Sequence, residues 1–320
     1  MVHLIHLTDL FHPHGDPDDH FDLATVFALH KLGKISLDRV IIDYPPAHRK
    51  GDPALCAVAQ LNAITGSDVP ASVAPKSKEG AAEMLLRCLR EAVTPVTFTV
   101  VGSATAIASA LTAEPALFAE KCAAIYLSGG TGVETPGGEL EYNARQDPAA
   151  YAAMFSAPCP LYWLPCYHTI EPGLHEKGGE FGSCWCIQQK EILEVCSPAM
   201  RNYFLYMLTQ SDDPKYLRYL DNPVDFQALA EYGEGKRRLW STAALLHLAG
   251  IECESYDYLP IDVSCSDDGH PEWAPDINDR SGKYLFKMRK NDRPSDDTFA
   301  MGGSYHDEML EKLRALLGAL

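Results

Sequence analysis

Residues 1–29 read MVHLIHLTDLFHPHGDPDDHFDLATVFAL, and the way this stretch folds decides the rest of the chain. The short apolar run from Val2 to Leu7 has the length of a buried strand and stops at Asp9. A loop with Pro13, Gly15 and Pro17 follows, and a helix is expected from about His20. Asp16, Asp18 and Asp19 stand in that loop, so with Asp9 four carboxylates gather at the C-terminal end of the first strand. That is where open α/β sheets bind ligands. Like charges at that density need a counter-charge. A helix N-terminus offers a few tenths to about 1 kcal/mol, whereas a hard divalent cation with oxygen ligands neutralises them better. The competing reading is a solvated acidic loop in which Asp18 or Asp19 caps the helix.

The remaining pattern places that stretch in a larger sheet. Strands are expected at Arg39–Asp43, Val69–Val73, Val96–Val101, Ala124–Leu127 and Leu161–Leu164. They alternate with helices over Ala54–Thr65, Lys78–Ala92, a stretch ending near Leu111, and Pro148–Phe155. Strand–helix alternation predicts an α/β fold, an open and mostly parallel sheet with helices on both faces. Right-handed crossovers put the strand ends at Asp9, Asp43, Val101 and Gly129-Gly130 on one side. Residues 131–147 read as a long Gly-rich loop carrying Glu139, Glu141, Asn143 and Asp147, with Asp147-Pro148 starting a helix. Residues 166–197 are irregular and read as an insertion or lid. Further helices are expected over 198–210, 239–249 and Tyr305–Leu317, and strands over Tyr256–Val263 and Lys283–Met288. No linker divides the chain, which reads as one domain over 1–320.

Composition narrows the function. A net charge of −17 argues against a nucleic-acid or anionic-membrane partner. It suits a metal-dependent enzyme acting on a neutral small molecule. The N-terminus lacks the basic region of a secretory signal, and no apolar run approaches a membrane span. The expected location is therefore cytoplasmic, and the ten cysteines read as reduced core thiols. Cys166, Cys184 and Cys186 hint at zinc, but C-x-C is not the usual ligand pair and no second pair stands downstream.

The order of the motifs resembles the inosine-uridine preferring nucleoside hydrolases. That family opens with a strand ending in Asp and an Asp-Asp pair before a helix; here Asp9 and Asp18-Asp19 match, across a longer loop. Its strand before a Gly-Pro-Leu-Thr-Asn turn is matched by Val100-Val101-Gly102-Ser103-Ala104-Thr105, and its Met-Gly-Gly by Ser128-Gly129-Gly130. Its Glu-Phe-Asn and Asp-Pro-x-Ala are matched by Glu141-Tyr142-Asn143 and Asp147-Pro148-Ala149-Ala150 at the same internal spacing. The resemblance implies a calcium ion, with magnesium as the alternative, beneath a ribose pocket. Asp9 and Asp19 would be side-chain ligands and the Val101 carbonyl a backbone ligand. Asp18, Glu141 and Asn143 would hold sugar hydroxyls, and Asp9 would act as base, with Asp18 beside it in the catalytic set. The implied reaction is hydrolysis of the N-glycosidic bond of a ribonucleoside or related ribosyl compound, whose oxocarbenium-like transition state nearby carboxylates stabilise. The resemblance alone implies a homo-oligomer.

Three departures stand out. Asp43-Tyr44-Pro45-Pro46 replaces the family's Gly-Asn after the second strand, leaving Asp43, Tyr44 or His48 as substitutes for an Asn that touches ribose. The family's late His-Asp pair, in which the Asp ligates the metal, aligns with Trp240-Ser241. Asp16 is then the expected replacement for the lost charge, and Trp240 either stacks on the base or belongs to the core. The Asn of the family's Gly-Asn loop has no counterpart near Thr135–Gly138. The alternatives are an inactive homologue that binds a ribosyl ligand and a metal-dependent phosphoesterase drawing on His3, His6, His12, His14 and His20.

Overall fold

The computed structural model describes residues 1–13, 17–48 and 50–320. Its centre is a nine-stranded sheet. In chain order the strands are β1 (Val2–Thr8), β2 (Ile35–Ile42), β3 (Ala71–Val73), β4 (Val96–Val100), β5 (Cys122–Ser128), β6 (Leu161–Leu164), β7 (Tyr256–Cys265), β8 (Pro271–Pro275) and β9 (Lys283–Met288). Across the sheet they run β8-β7-β9-β6-β5-β4-β1-β2-β3. From β3 through β9 every neighbouring pair is parallel. β7 pairs antiparallel with β9 and with β8, adding a meander at the far edge.

Helices cover both faces, as a parallel sheet requires. One core joins Leu4, Ile35, Leu37, Val40 and Ile42 to α1 (Asp18–Lys31), α2 (Leu55–Thr65), Pro198–Leu208 and Ser304–Leu317. The other joins Ile5, Leu7, Ile41, Phe98 and Ile125 to α3 (Lys78–Glu91), α4 (Thr105–Ala113) and Pro148–Met154. Leu4 and Ile5 sit in opposite cores because side chains alternate across a strand. The register of β1 with β2 shifts between Leu4 and Ile5, whose partners are Leu37 and Arg39. The extra residue, Asp38, breaks the alternation of ISLDRVII, so the periodicity places the strand start at Arg39 and misses Ile35–Asp38.

Three other segments differ from the sequence reading. Tyr142–Gln146, inside the expected loop, is a short helix that we call α5. Residues 236–239 form a strand paired with Trp185–Gln188, so the late helix, α6 (Thr242–Leu248), starts at Thr242 rather than 239. Residues 166–197 hold a small hairpin of Thr169–Glu171 with His175–Lys177, and their second half enters the core through Trp185, Ile187 and Leu193. Among the described residues no helix is long and apolar enough to cross a membrane.

Strand order positions the site. From β1 the chain moves outward through β2 to β3, then returns to place β4 on the other side of β1. The crevice between the C-terminal ends of β1 and β4 is a topological switch point, where doubly wound sheets bind ligands.

Candidate active site

Asp9 follows β1 directly and Val101 follows β4, so both stand at the switch point. They line one cavity of about 450 Å³ with Asp18, Asp19, Asp22, Glu141 and Asn143. The Val101 N–H donates to the Leu7 carbonyl at 3.0 Å, which continues the β1–β4 ladder to the cavity floor. Gly102 keeps the strands close: a Cβ there would lie 2.7 Å from Asp43 Oδ2 and 2.9 Å from the Asp9 nitrogen. The Asn143 amide donates to the Val101 carbonyl at 3.1 Å, tying the α5 side to β4. Thr8 donates its hydroxyl to Asp19 Oδ1 at 3.2 Å, tying β1 to the first turn of α1.

Glu141 is held by its neighbours. Its Oε2 accepts from the backbone N–H groups of Gly130, Asn143 and Ala144 at 2.9, 3.0 and 3.3 Å. Two of these are orphan donors of α5, so Glu141 caps that helix while facing the cavity. Burial pushes its carboxyl up, and the backbone donors work against that shift. The Gly129-Gly130 turn supplies the third donor. Gly130 has φ +78°, and a Cβ there would lie 2.0 Å from the Tyr151 hydroxyl.

The remaining acids are crowded. Asp43 follows β2, and its Oδ2 accepts from the Ser103 N–H at 3.0 Å. Burial and then the charge of Asp9 push its carboxyl up to about 8. Asp22 lies one helical turn beyond Asp18-Asp19, is buried, and lines the cavity together with Ser241. Burial pushes it up to about 7, with the nearby Ser241 hydroxyl pulling the other way.

The opposite wall carries Tyr167, Glu176, Arg238 and Trp240. Tyr167 and Trp240 meet edge-to-face, with centroids 6.3 Å apart. The Arg238 guanidinium lies over both rings at 5.7 and 5.6 Å and over Phe299 at 4.6 Å, and it is paired with Glu176. The Trp240 indole Nε1 is buried and has no hydrogen-bond partner among the described residues. At the mouth, the His48 ring and the Tyr142 hydroxyl lie 3.1 Å apart.

The structure thus brings together Asp9, Asp18, Asp19, Val101, Glu141, Asn143 and Trp240. Asp16 lies outside the described residues. Of the substitutes weighed for the second-strand Asn, His48 reaches this cavity, while Asp43 and Tyr44 line an adjacent cleft that also touches Asp9. Other histidines are engaged elsewhere: His3 with Asp38 and His6 with Thr99, while His12 contacts the Ser211 carbonyl. Cys166 and Cys184 share a small apolar cluster with Tyr167 and Ile170, and all ten cysteines are free thiols. Among the described residues no three His, Cys, Asp or Glu side chains converge into a ready metal cage. The proposed ligand set of Asp9, Asp19 and the Val101 carbonyl is nonetheless all oxygen, which is the chemistry a hard divalent cation takes.

The sequence reading missed Asp22, Tyr167, Glu176 and Arg238. Asp22 had a signal, since positions i+3 and i+4 from Asp19 and Asp18 share a helix face. Glu176 reaches the cavity on the hairpin, Arg238 on the ribbon at 236–239, and Tyr167 through a parallel bridge to Thr131, pairings with no local signature.

The fold is similar to that of solved nucleoside hydrolases. The structure of an inosine-uridine preferring nucleoside hydrolase from Bacillus anthracis matches with TM-score 0.54 at 14% identity, over 100% of this chain and 100% of that one. A plant nucleoside hydrolase matches with TM-score 0.53 at 14% identity, over 100% and 99%. No curated protein matches the chain. A family model described as inosine-uridine preferring nucleoside hydrolase matches residues 37–217, more than half of the chain, which therefore belongs to that family. The matched segment holds Val101, Glu141 and Asn143; the acids after β1 precede it and Trp240 follows it.

Proposed function

We propose that the chain is a metal-dependent N-ribohydrolase that cleaves the N-glycosidic bond of a ribonucleoside or related ribosyl compound. The observation that carries this reading is the gathering of Asp9, Asp18, Asp19, Val101, Glu141 and Asn143 around one cavity at the switch point. Asp9, Asp19 and the Val101 carbonyl are the proposed calcium ligands, with magnesium as the alternative. Asp16 is kept as a contributor on its place in the loop. A bound divalent cation would supply Lewis-acid polarisation of oxygen groups beside it.

The protein's own residues do the rest. Asp9 takes the proton from the attacking water. Asp18, Glu141 and Asn143 hold the sugar hydroxyls, and the carboxylates stabilise positive charge growing on the sugar. Glu141 is suited to this because its Oε2 is fully engaged, so the carboxylate does not reorganise as charge develops. Trp240 offers a face for a leaving base. The substrate is a small molecule, and we assign the enzyme to the cytoplasm as a homo-oligomer.

One observation favours a second reading, a homologue that binds a ribosyl ligand without turning it over. Trp240 and Ser241 bring an indole and a hydroxyl to the leaving-group end, where a proton donor would help a base depart. One experiment separates the two. The purified protein is incubated with a panel of ribonucleosides, with calcium or with a chelator, and free ribose is measured. Ribose release abolished by chelation supports the hydrolase. Saturable nucleoside binding with no ribose released supports the second reading and overturns the first.

A further inference from the structure

Arg238 is held as a fixed donor on the wall of the cavity. It stands on the ribbon at 236–239, opposite Cys186. Its guanidinium carbon lies 5.7, 5.6 and 4.6 Å from the ring centres of Tyr167, Trp240 and Phe299. Its Nη1 donates to Glu176 Oε2 and, at 3.1 Å, to the hydroxyl of the buried Thr298. A guanidinium carries five N–H donors, two of them on Nη1. The N–H groups of Nε and Nη2 have no partner among the described residues. Arg145, the other arginine that lines the cavity, is exposed.

Nε and Nη2 lie along one edge of the guanidinium, a planar fork that takes two neighbouring acceptors at once. The charge of Arg238 is already balanced by Glu176, so that edge suits a neutral pair of acceptors. A 6-oxopurine offers such a pair, with N7 and the carbonyl O6 side by side. Adenine sets an amino group beside N7, which brings donor against donor. Uracil separates its two carbonyls by an N–H. We propose that Arg238 is the specificity-determining residue of the leaving-group end, its Nε and Nη2 donating to N7 and O6 of a 6-oxopurine. This rests on the N-ribohydrolase reading above. It also separates inosine from uridine, which the family description joins. When the glycosidic bond breaks, its electron pair goes to the purine, and the two hydrogen bonds strengthen as N7 and O6 gain negative charge. The water oxygen bonds to the sugar carbon, and the water proton, taken by Asp9, ends on the departed base.

The test compares kcat/KM for inosine, 7-deazainosine, adenosine, uridine and 4-nitrophenyl riboside in wild type and in Arg238→Lys. 7-Deazainosine lacks one of the two acceptors. The nitrophenyl riboside has a leaving group that needs no purine contact, so it reports on the ribose end. Wild type should prefer inosine to adenosine and uridine by about 5- to 150-fold, the discrimination one bidentate pair supplies. Lysine keeps a charge for Glu176 but has no fork. In Arg238→Lys the inosine rate should therefore fall by a similar factor relative to the nitrophenyl riboside rate, and the gap between inosine and 7-deazainosine should close. If Arg238→Lys keeps the wild-type preference, or slows every substrate by the same factor, Arg238 does not read the base and the inference is overturned. Wild-type release from the nitrophenyl riboside without an inosine preference overturns this inference alone. Release from no substrate overturns the hydrolase reading and this one with it.

Discussion

Thr8 and Asp19 show how one hydrogen bond organises a site. The Thr8 hydroxyl ends β1 and reaches the second acid of α1, so the strand and helix present their carboxylates toward one cavity. We predict that Asp19→Ala weakens calcium and nucleoside binding together, each by at least about 10-fold, measured by titration of each ligand. An unchanged metal content in that variant would refute the assignment. His6, on the same strand, makes an independent prediction. It is buried between β2 and β4, its Nδ1 lies 2.8 Å from the Thr99 hydroxyl, and its Nε2 has no hydrogen-bond partner among the described residues. Burial lowers its pKa from 6.5 to about 3. A depressed histidine contributes nothing above its unfolded value. Its penalty grows as pH falls through 6.5, where the unfolded chain begins to take up the proton, and levels off below the folded value. The expected loss is about 3 kcal/mol between pH 7 and pH 4. The raised acids Asp22 and Asp43 act in the opposite sense, so the readout is a difference between profiles. Denaturant unfolding of His6→Leu against wild type should show the acid slope reduced by that amount; parallel profiles would sink the idea.

At the scale of elements, the Gly129-Gly130 turn and α5 act as one clamp. The Gly130 N–H goes to Glu141, while the Gly129 carbonyl accepts from the Tyr151 hydroxyl and from the Trp163 indole. Gly130→Ala adds a methyl where Tyr151 already stands, at a positive φ. We expect it to destabilise by roughly 3 kcal/mol, the sum of backbone strain and overpacking, and to disturb the Glu141 carboxylate as well. Combining it with Tyr151→Phe removes the nearest atom and should restore part of the stability in urea unfolding. Equal stability of Gly130→Ala and wild type would show that the turn yields freely. The turn and the Asp147-Pro148 helix start were legible, because Gly-Gly after an apolar run and Asp-Pro before a helical run have local causes. α5 was not, since five residues in a Gly-rich stretch carry no helical period, and its cap is a glutamate fixed partly by the Gly130 N–H eleven residues earlier.

For the molecule as a whole, the question is what compensates the crevice. Carboxylates from α1, from the ends of β1 and β2, and from the α5 cap meet at or beside it. A cation bound there stabilises the fold by mass action, by about 2.7 kcal/mol at a hundredfold excess over Kd. Adding calcium to stripped protein should raise the unfolding midpoint, and a chelator should reverse the rise. A midpoint indifferent to calcium and magnesium would argue that the acids neutralise one another by taking up protons instead.

What the chain alone determined was the alternation of strands and helices, the oxygen-rich ends of β1 and β4, and the family to which those motifs point. Each follows from periodicity, turn chemistry or short-range spacing, all local in sequence. The tertiary structure decided which acids are neighbours. Asp22 and Ser241 line one cavity from more than two hundred residues apart. Glu176 and Arg238 reach the cavity through a hairpin and a long-range ribbon, and Tyr167 through a bridge to Thr131. Those contacts depend on strand order and on how the helices pack over the sheet. These are properties of the whole fold, and no window of sequence contains them.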